Sequence, residues 1–142
     1  MRGELRPDVH ERVTTYARLG DELAERGEYV AATAEYNRAW HLLPSPKNDW
    51  EAATWLLTAI GDACLHSGHL TSARKALEYA TTCPGGLGNP FVPLRLGQVY
   101  FEQQEFDAAA DELTRAYMGG GREIFEAEDA KYLEFVATRI QI

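Results

Sequence analysis

The chain has 142 residues, enough for one domain with a continuous core, and an ordinary soluble composition with no low-complexity tract. Its 22 acidic and 14 basic side chains give a formal net charge of −8. That sign argues against nucleic-acid binding, which needs Lys and Arg in place of phosphate counterions, and suits either plain solubility or attraction to a basic partner.

Residues 1–7 read as a frayed lead-in with neither the apolar run nor the cleavage site of a signal peptide. From about Asp8, apolar residues recur at helical spacing (Val9, Val13, Tyr16, Leu19, Leu23) as far as Gly27, a good helix stop. A partner helix follows from about Tyr29 to Leu43, where Pro44, lacking a backbone donor, is expected to end it. Small Gly20 and Ala32 mark where these two antiparallel helices cross, with Leu19, Leu23 and Tyr36 filling the space beside the crossing. Pro44, Pro46 and residues 47–49 form a loop, and Asn48 or Asp49 is placed to cap the next helix.

The same pattern returns twice. Leu57-x2-Ile60-Gly61-x2-Cys64 leads to Gly68, Leu70, Ala73-x3-Leu77 and Ala80. Pro93-x2-Leu96-Gly97-x2-Tyr100 leads to Phe106, Ala109-x3-Leu113 and Ala116. Gly20 and Gly61 are 41 positions apart and Gly61 and Gly97 are 36 apart; the longer step holds the 44–49 loop and an added first turn at 50–53, where Trp50 continues the core-facing stripe. In the 84–90 loop, Asn89 is a cap and Pro90 the first helical residue, while Pro93 lies in the first turn, where proline is tolerated. Gly119, Gly120 and Gly121 read as a flexible hinge. A last helix over 129–138 carries Tyr132, Leu133, Val136, Ala137 and, just beyond, Ile140 as one stripe, and suits a cap with a polar outer face.

Tyr16-x2-Leu19-Gly20-x2-Leu23, followed by Ala32-x3-Tyr36 and Pro44, resembles the tetratricopeptide repeat, a helix–turn–helix unit of about 34 residues. The resemblance implies an all-α fold without strands: a right-handed superhelix of three helix pairs, at about 13–46, 54–86 and 90–121, with a C-terminal capping helix over 122–142. One unit cannot bury its apolar face alone, so the repeats are expected to stack as a single domain over 1–142.

First helices line the concave side of such a superhelix. Counting from the repeat's own core positions, the opposite face of each first helix carries Thr14, Ala17, Asp21, Ala24 and Glu25, then Trp55, Thr58, Asp62, Leu65 and His66, then Phe91, Leu94, Gln98, Phe101 and Glu102. Asp21, Glu25, Trp55, Asp62, His66, Phe91, Gln98, Phe101 and Glu102 are therefore the candidate partner-binding groove. Aromatic anchors among charges are how interface hot spots are built. The plainer alternative is that Trp55 or Phe91 packs under a loop and the carboxylates form a solvated face. Tetratricopeptide domains that grip acidic chaperone tails resemble one another in Lys and Asn at groove positions; Ala17 and Asp21 stand here, so a carboxylate-terminated acidic peptide is a poor ligand.

Catalytic readings fare worse. His66-x2-His69 spans a helix end at Gly68 and lacks a completing ligand, so no metal is expected. The glycine run at 85–88 lacks the Lys-Ser/Thr of a phosphate loop. Gly119, Gly120, Gly121 and Arg122 fit a hinge better than an anion nest. Cys64 and Cys83 have neither zinc nor disulfide-framework spacing; Cys64 falls on a core position, where a thiol is a poor nucleophile. No run approaches the roughly 18 apolar residues of a membrane span. The expectation is a cytoplasmic non-enzyme without cofactor.

Beyond the repeats, Asp49-Trp-Glu-Ala-Ala-Thr-Trp-Leu56, Cys83-Pro-Gly-Gly-Leu-Gly-Asn-Pro-Phe91, residues 112–125 and Glu128-Asp-Ala-Lys-Tyr-Leu-Glu-Phe135 resemble a bacterial group of small tetratricopeptide proteins encoded beside polymorphic toxins of Rhs or contact-dependent type. Ala130 departs from the proline that group has after the Asp. The resemblance implies an immunity protein that binds and neutralises a cognate toxin domain with a basic surface. The alternatives are a general adaptor or assembly chaperone binding a peptide or helix in the groove, and a homo-oligomerising repeat; the oligomeric state is open.

Overall fold

Every regular element among residues 5–142, which a computed structural model describes, is helical; the first four residues of the expected lead-in lie outside them. The helices are α1 (Pro7–Glu25), α2 (Tyr29–His41), α3 (Glu51–His66), α4 (Leu70–Thr81), α5 (Phe91–Glu102), α6 (Phe106–Gly120) and α7 (Ala130–Ala137). Short 3-10 turns at Lys47–Asp49 and Arg122–Phe125 sit in the connections. α1 pairs with α2, α3 with α4 and α5 with α6; α2 then lies on α3, α4 on α5 and α6 on α7. First helices also meet, α3 lying along α5, whereas α1 stands further from α3.

The pairs are held by one repeated contact. A methyl group at Gly20 would come within 2.5 Å of the Tyr36 ring, one at Gly61 would overlap Leu77, and one at Gly97 would come within 2.6 Å of Leu113. All three glycines and the three large partners are buried. Around each crossing the second helix contributes two alanines with no exposed surface: Ala32 and Ala39, Ala73 and Ala80, Ala109 and Ala116. Small residues bring the backbones together and one large side chain fills the gap left beside them, which is dense packing at low side-chain entropy.

The turn inside each pair is also repeated. Gly27 N donates to Ala24 O and Glu28 N to Leu23 O; Gly68 N and His69 N donate likewise to Leu65 O and Cys64 O. Gln104 N and Glu105 N do the same to Phe101 O and Tyr100 O. Each is a Schellman ending, whose pivot takes a left-handed conformation. Gly27 and Gly68 adopt it freely at φ 78° and 82°, but the third repeat places Gln104 there at φ 64°.

Several expectations are corrected. Leu19 does not fill the crossing but is 39% exposed, whereas its counterparts Ile60 and Leu96 are buried. That position faces the second helix of the preceding repeat, and among the described residues no helix precedes α1. α2 ends at His41, before Pro44 is reached; Lys47 Nζ donates to Trp40 O and Leu43 O and so caps the terminal carbonyls. The N-cap of α3 is Trp50, without a side-chain capping bond, and not Asn48 or Asp49. Trp50 still packs on the core from that place, its indole Nε1 donating to Pro44 O. Residues 119–121 are no free hinge: α6 continues to Gly120, and Gly121 turns the chain at φ 69°. Asn89 caps as expected, its Oδ1 accepting from Phe91 N, but α5 begins one residue later than expected, at Phe91, with Pro90 as its N-cap. α7 likewise begins at Ala130, with Asp129 as N-cap accepting from Lys131 N through Oδ1.

Gly61→Ala is expected to destabilise by about 1–2 kcal/mol, because the overlap with Leu77 outweighs the helix-propensity gain of alanine. In a chemical-denaturation double-mutant cycle with Leu77→Ala, the added methyl then costs less, so the two changes are not additive. Gln104→Gly runs the other way and raises stability by up to about 1 kcal/mol.

Candidate functional site

The expected groove residues fall on one side of α1, α3 and α5, and the structure divides them into three groups. The first surrounds a tyrosine that the groove pattern does not include. Tyr36 rises from α2 past Gly20, and its hydroxyl donates to Asp21 Oδ1 at 2.6 Å. Burial, then this bond and the fields of Asp21, Asp62 and Glu25, push the phenol well above its ordinary range. Three of the expected carboxylates thus act on one hydroxyl, Asp21 by direct contact. Among the described residues no Lys or Arg pairs with Asp21 or Glu25.

The second group lines a cleft of about 310 Å³ between α3, α5 and the start of α7: Leu65, His66, Gln98, Glu102, Glu128 and Tyr132 are among its walls. His66 stacks on the Tyr29 ring at 4.9 Å, and its Nδ1 lies 2.8 Å from Asp62 O. The expectation of an acidic surface is modified here by Arg95, which the groove pattern passes over. Its Nε sits 2.7 Å from Asp62 Oδ1 and its Nη1 2.8 Å from Glu128 Oε1, while the side chain is only 17% exposed. Lys131 Nζ pairs with Glu102 at 3.0 Å, and Tyr132 donates its hydroxyl to the same carboxylate. Arg95 lies four residues after Phe91 and three before Gln98, so helical spacing alone places it on this face. Glu128 and Lys131 arrive from the end of the chain, which no local pattern announces.

Gln98 and Phe101 are corrected. Gln98 is 1% exposed, its Nε2 donating to Glu128 Oε1 and its Oε1 accepting from Arg95; it is a buried strut, not a surface contact. Phe101 is half-buried in an aromatic cluster with Phe106, Tyr132 and Phe135 at ring distances of 5.2–5.4 Å. Ala17 and Leu94 are buried as well. The cause for Gln98 and Phe101 is that the side chains of Glu128, Tyr132 and Phe135, from α7 and its approach, reach over them. Phe135, absent from the expected stripe, makes much of that contact.

The third group is aromatic. Trp55 is 41% exposed in a separate cleft of about 400 Å³ that also involves Leu5, His10, Trp50 and Glu51. It is eleven residues from His66, about 16 Å along the same face of α3. Phe91, 49% exposed, opens α5. The face therefore carries exposed aromatics toward the helix starts and carboxylates from the middle onward.

No group of three or more His, Cys, Asp or Glu suited to a metal ion occurs among the described residues, and no described helix is long and apolar enough to cross a membrane. Cys64 and Cys83 are buried, and burial pushes both thiols up.

No family model matches the sequence, and no curated protein matches it. Solved structures do. The chain is similar to the Sgt2 TPR domain from Aspergillus fumigatus, with a TM-score of 0.68 and 19% identity, covering 94% of this chain and 77% of that one. It is also similar to the Yersinia enterocolitica type III secretion chaperone SycD in complex with a peptide of the translocator YopD, with a TM-score of 0.70 and 14% identity, covering 96% and 95% of the two chains. The fold is the all-helical tetratricopeptide superhelix.

Arg95→Gln is expected to cost about 2–4 kcal/mol in denaturant unfolding, because it strands two partly buried carboxylates; adding Glu128→Gln recovers part of the loss. Alkaline unfolding offers a second check. Tyr36 and Tyr132 are raised in the fold, chiefly by burial and then by their carboxylate partners, and Tyr100, bonded to Glu78, is pushed up to about 12. Each phenol ionises more readily in the unfolded chain, whose reference value is 10.0. Their stabilisation is full below that pH and is lost as pH climbs from 10 through about 12 and beyond. The fall in unfolding free energy over this range should be shallower in Tyr36→Phe and Tyr132→Phe.

Proposed function

We propose that this chain is a non-catalytic protein-binding module, of the adaptor or assembly-chaperone kind, whose concave face receives a basic peptide or helix of a partner protein. One observation carries the reading: Asp21 accepts from the Tyr36 hydroxyl within the fields of Asp62 and Glu25, and among the described residues Asp62 alone of the three has a Lys or Arg beside it. Uncompensated carboxylates on a concave surface favour a ligand that brings Lys or Arg, and speed its arrival. Trp55 and Phe91, exposed on the same face, supply anchors for apolar ligand residues. The solved chaperone complex with a translocator peptide supports peptide capture by this fold. Binding, and not chemistry, is the use to which such a face is suited.

The narrower reading, an immunity protein that neutralises a toxin with a basic surface, rests on the resemblance of residues 49–56, 83–91, 112–125 and 128–135 to that bacterial group. It uses the same carboxylates and differs in strength: a one-to-one complex at nanomolar affinity or tighter, against the weaker binding of peptide adaptors. Survival of cells carrying a cognate toxin gene equally well with and without this protein would rule it out.

Selection of binders from a random displayed-peptide library tests the main reading. Enriched sequences should carry Lys or Arg with aromatic or aliphatic residues. The paired change Asp21→Asn and Glu25→Gln, which keeps an acceptor for Tyr36, should weaken a selected peptide about tenfold at low salt and flatten its salt dependence. Enrichment of acidic peptides, or unchanged affinity in the paired variant, would contradict it.

A further inference from the structure

The C-terminal helix has an apolar side that nothing in residues 5–142 covers. α7 lies on α6 as α5 lies on α4 and α3 on α2, and it reaches α5 through the contacts of Phe101 with Tyr132 and Phe135. In α1, α3 and α5 the remaining apolar side is closed by the second helix of the pair. On α7 that side is an open cleft of about 460 Å³, with buried Phe125 as its floor and Leu133, Ala137 and Ile142 as walls. Ala130, Leu133 and Ala137 follow the i, i+3, i+7 spacing by which one helix seats another. Ala130 and Ala137 are exposed, and Ile142 is 37% exposed.

The rim has a definite sign. Glu126, Glu128 and Glu134 line it against a single cation, Arg122. Glu128 is engaged by Arg95, but Glu126 and Glu134 form no ion pair among the described residues. We propose that this cleft docks an amphipathic helix of a partner protein, with apolar residues at i, i+3 or i+4 and i+7 and with Lys or Arg on both flanks. Charge selects this occupant over a second copy of the chain, because self-association through α7 would bring the acidic rims of two molecules of net charge −8 together. The site is separate from the concave face: Glu128 borders both, but its carboxylate is turned to Arg95.

The test uses the full chain and two synthetic helical peptides with the same leucine spacing, one flanked by Lys and one by Glu. The Lys-flanked peptide should bind with amide shifts centred on α7 and Phe125, at least about tenfold tighter than the Glu-flanked one. Leu133→Asn with Ala137→Asn should abolish those shifts, and the exposed pair Glu126→Gln with Glu134→Gln should remove the preference for Lys while leaving the helical circular dichroism unchanged. Asp21→Asn with Glu25→Gln should leave binding at α7 intact, so failure here and failure of the concave-face reading are told apart. The proposal is overturned if neither peptide shifts α7, if both bind alike, if the shifts fall only on the concave face, or if light scattering shows a dimer that Leu133→Asn dissolves.

Discussion

The contact of a glycine on each first helix with a large side chain on the second is the constraint from which the rest of the architecture follows. Gly20 under Tyr36, Gly61 under Leu77 and Gly97 under Leu113 bring paired backbones too close for even a methyl group. That distance sets the angle at which each pair leaves its Schellman turn, and hence how the next first helix lands on the previous second helix. It also decides what happens on the outer face of the first helices. In the first repeat the filler is tyrosine, long enough to cross the pair and give its hydroxyl to Asp21, within the fields of Asp62 and Glu25. Leucine at the same place in the other two repeats cannot do so. A packing choice inside the repeat thus becomes a polar feature on its surface.

The electrostatics of the face are graded along the superhelix. At α1 Asp21 has a hydroxyl partner and neither it nor Glu25 has a Lys or Arg partner among the described residues, at α3 Asp62 shares Arg95 with Glu128, and at α5 Glu102 is held by Lys131 and Tyr132. Compensation increases toward the C-terminal end because α7 and its approach bring cations and donors back over α5. Partly buried pairs of this kind stabilise little in net terms but are costly to break, so they fix where α7 sits. The strongest uncompensated negative charge is left on the first repeat, while α7 leaves an apolar cleft with an acidic rim of its own.

Much of the fold was legible because a repeat is written in local spacing. Glycine, alanine and the large residue sixteen positions beyond each glycine recur three times, and turn signals at Gly27 and Gly68 match the observed pivots. Gln104 shows that the third turn is formed even without glycine, since the helices on either side impose it. Leu19 was misread because the pattern states that a position is apolar, not whether a neighbouring layer exists to cover it. For the site, the positions of Asp21, Glu25, Trp55 and Asp62 followed from helix periodicity alone. Arg95 obeyed the same periodicity and could have been found. Gln98 and Phe101 could not have been assigned to the interior without knowing that α7 folds back over α5, a contact made by residues about thirty positions away. The reach of Tyr36 to Asp21 was equally invisible, because it depends on side-chain length across two helices.

Hydrogen exchange of the full chain, alone and saturated with a selected basic peptide, tests the central claim most directly. Binding on the concave face should slow exchange along the first helices, most at α1 and α3 around Asp21, Glu25 and Asp62, with α2 and α4 little changed on their outer sides. Protection confined to α2, α4 and α6, or no protection at α1 and α3 under saturation, would contradict the account.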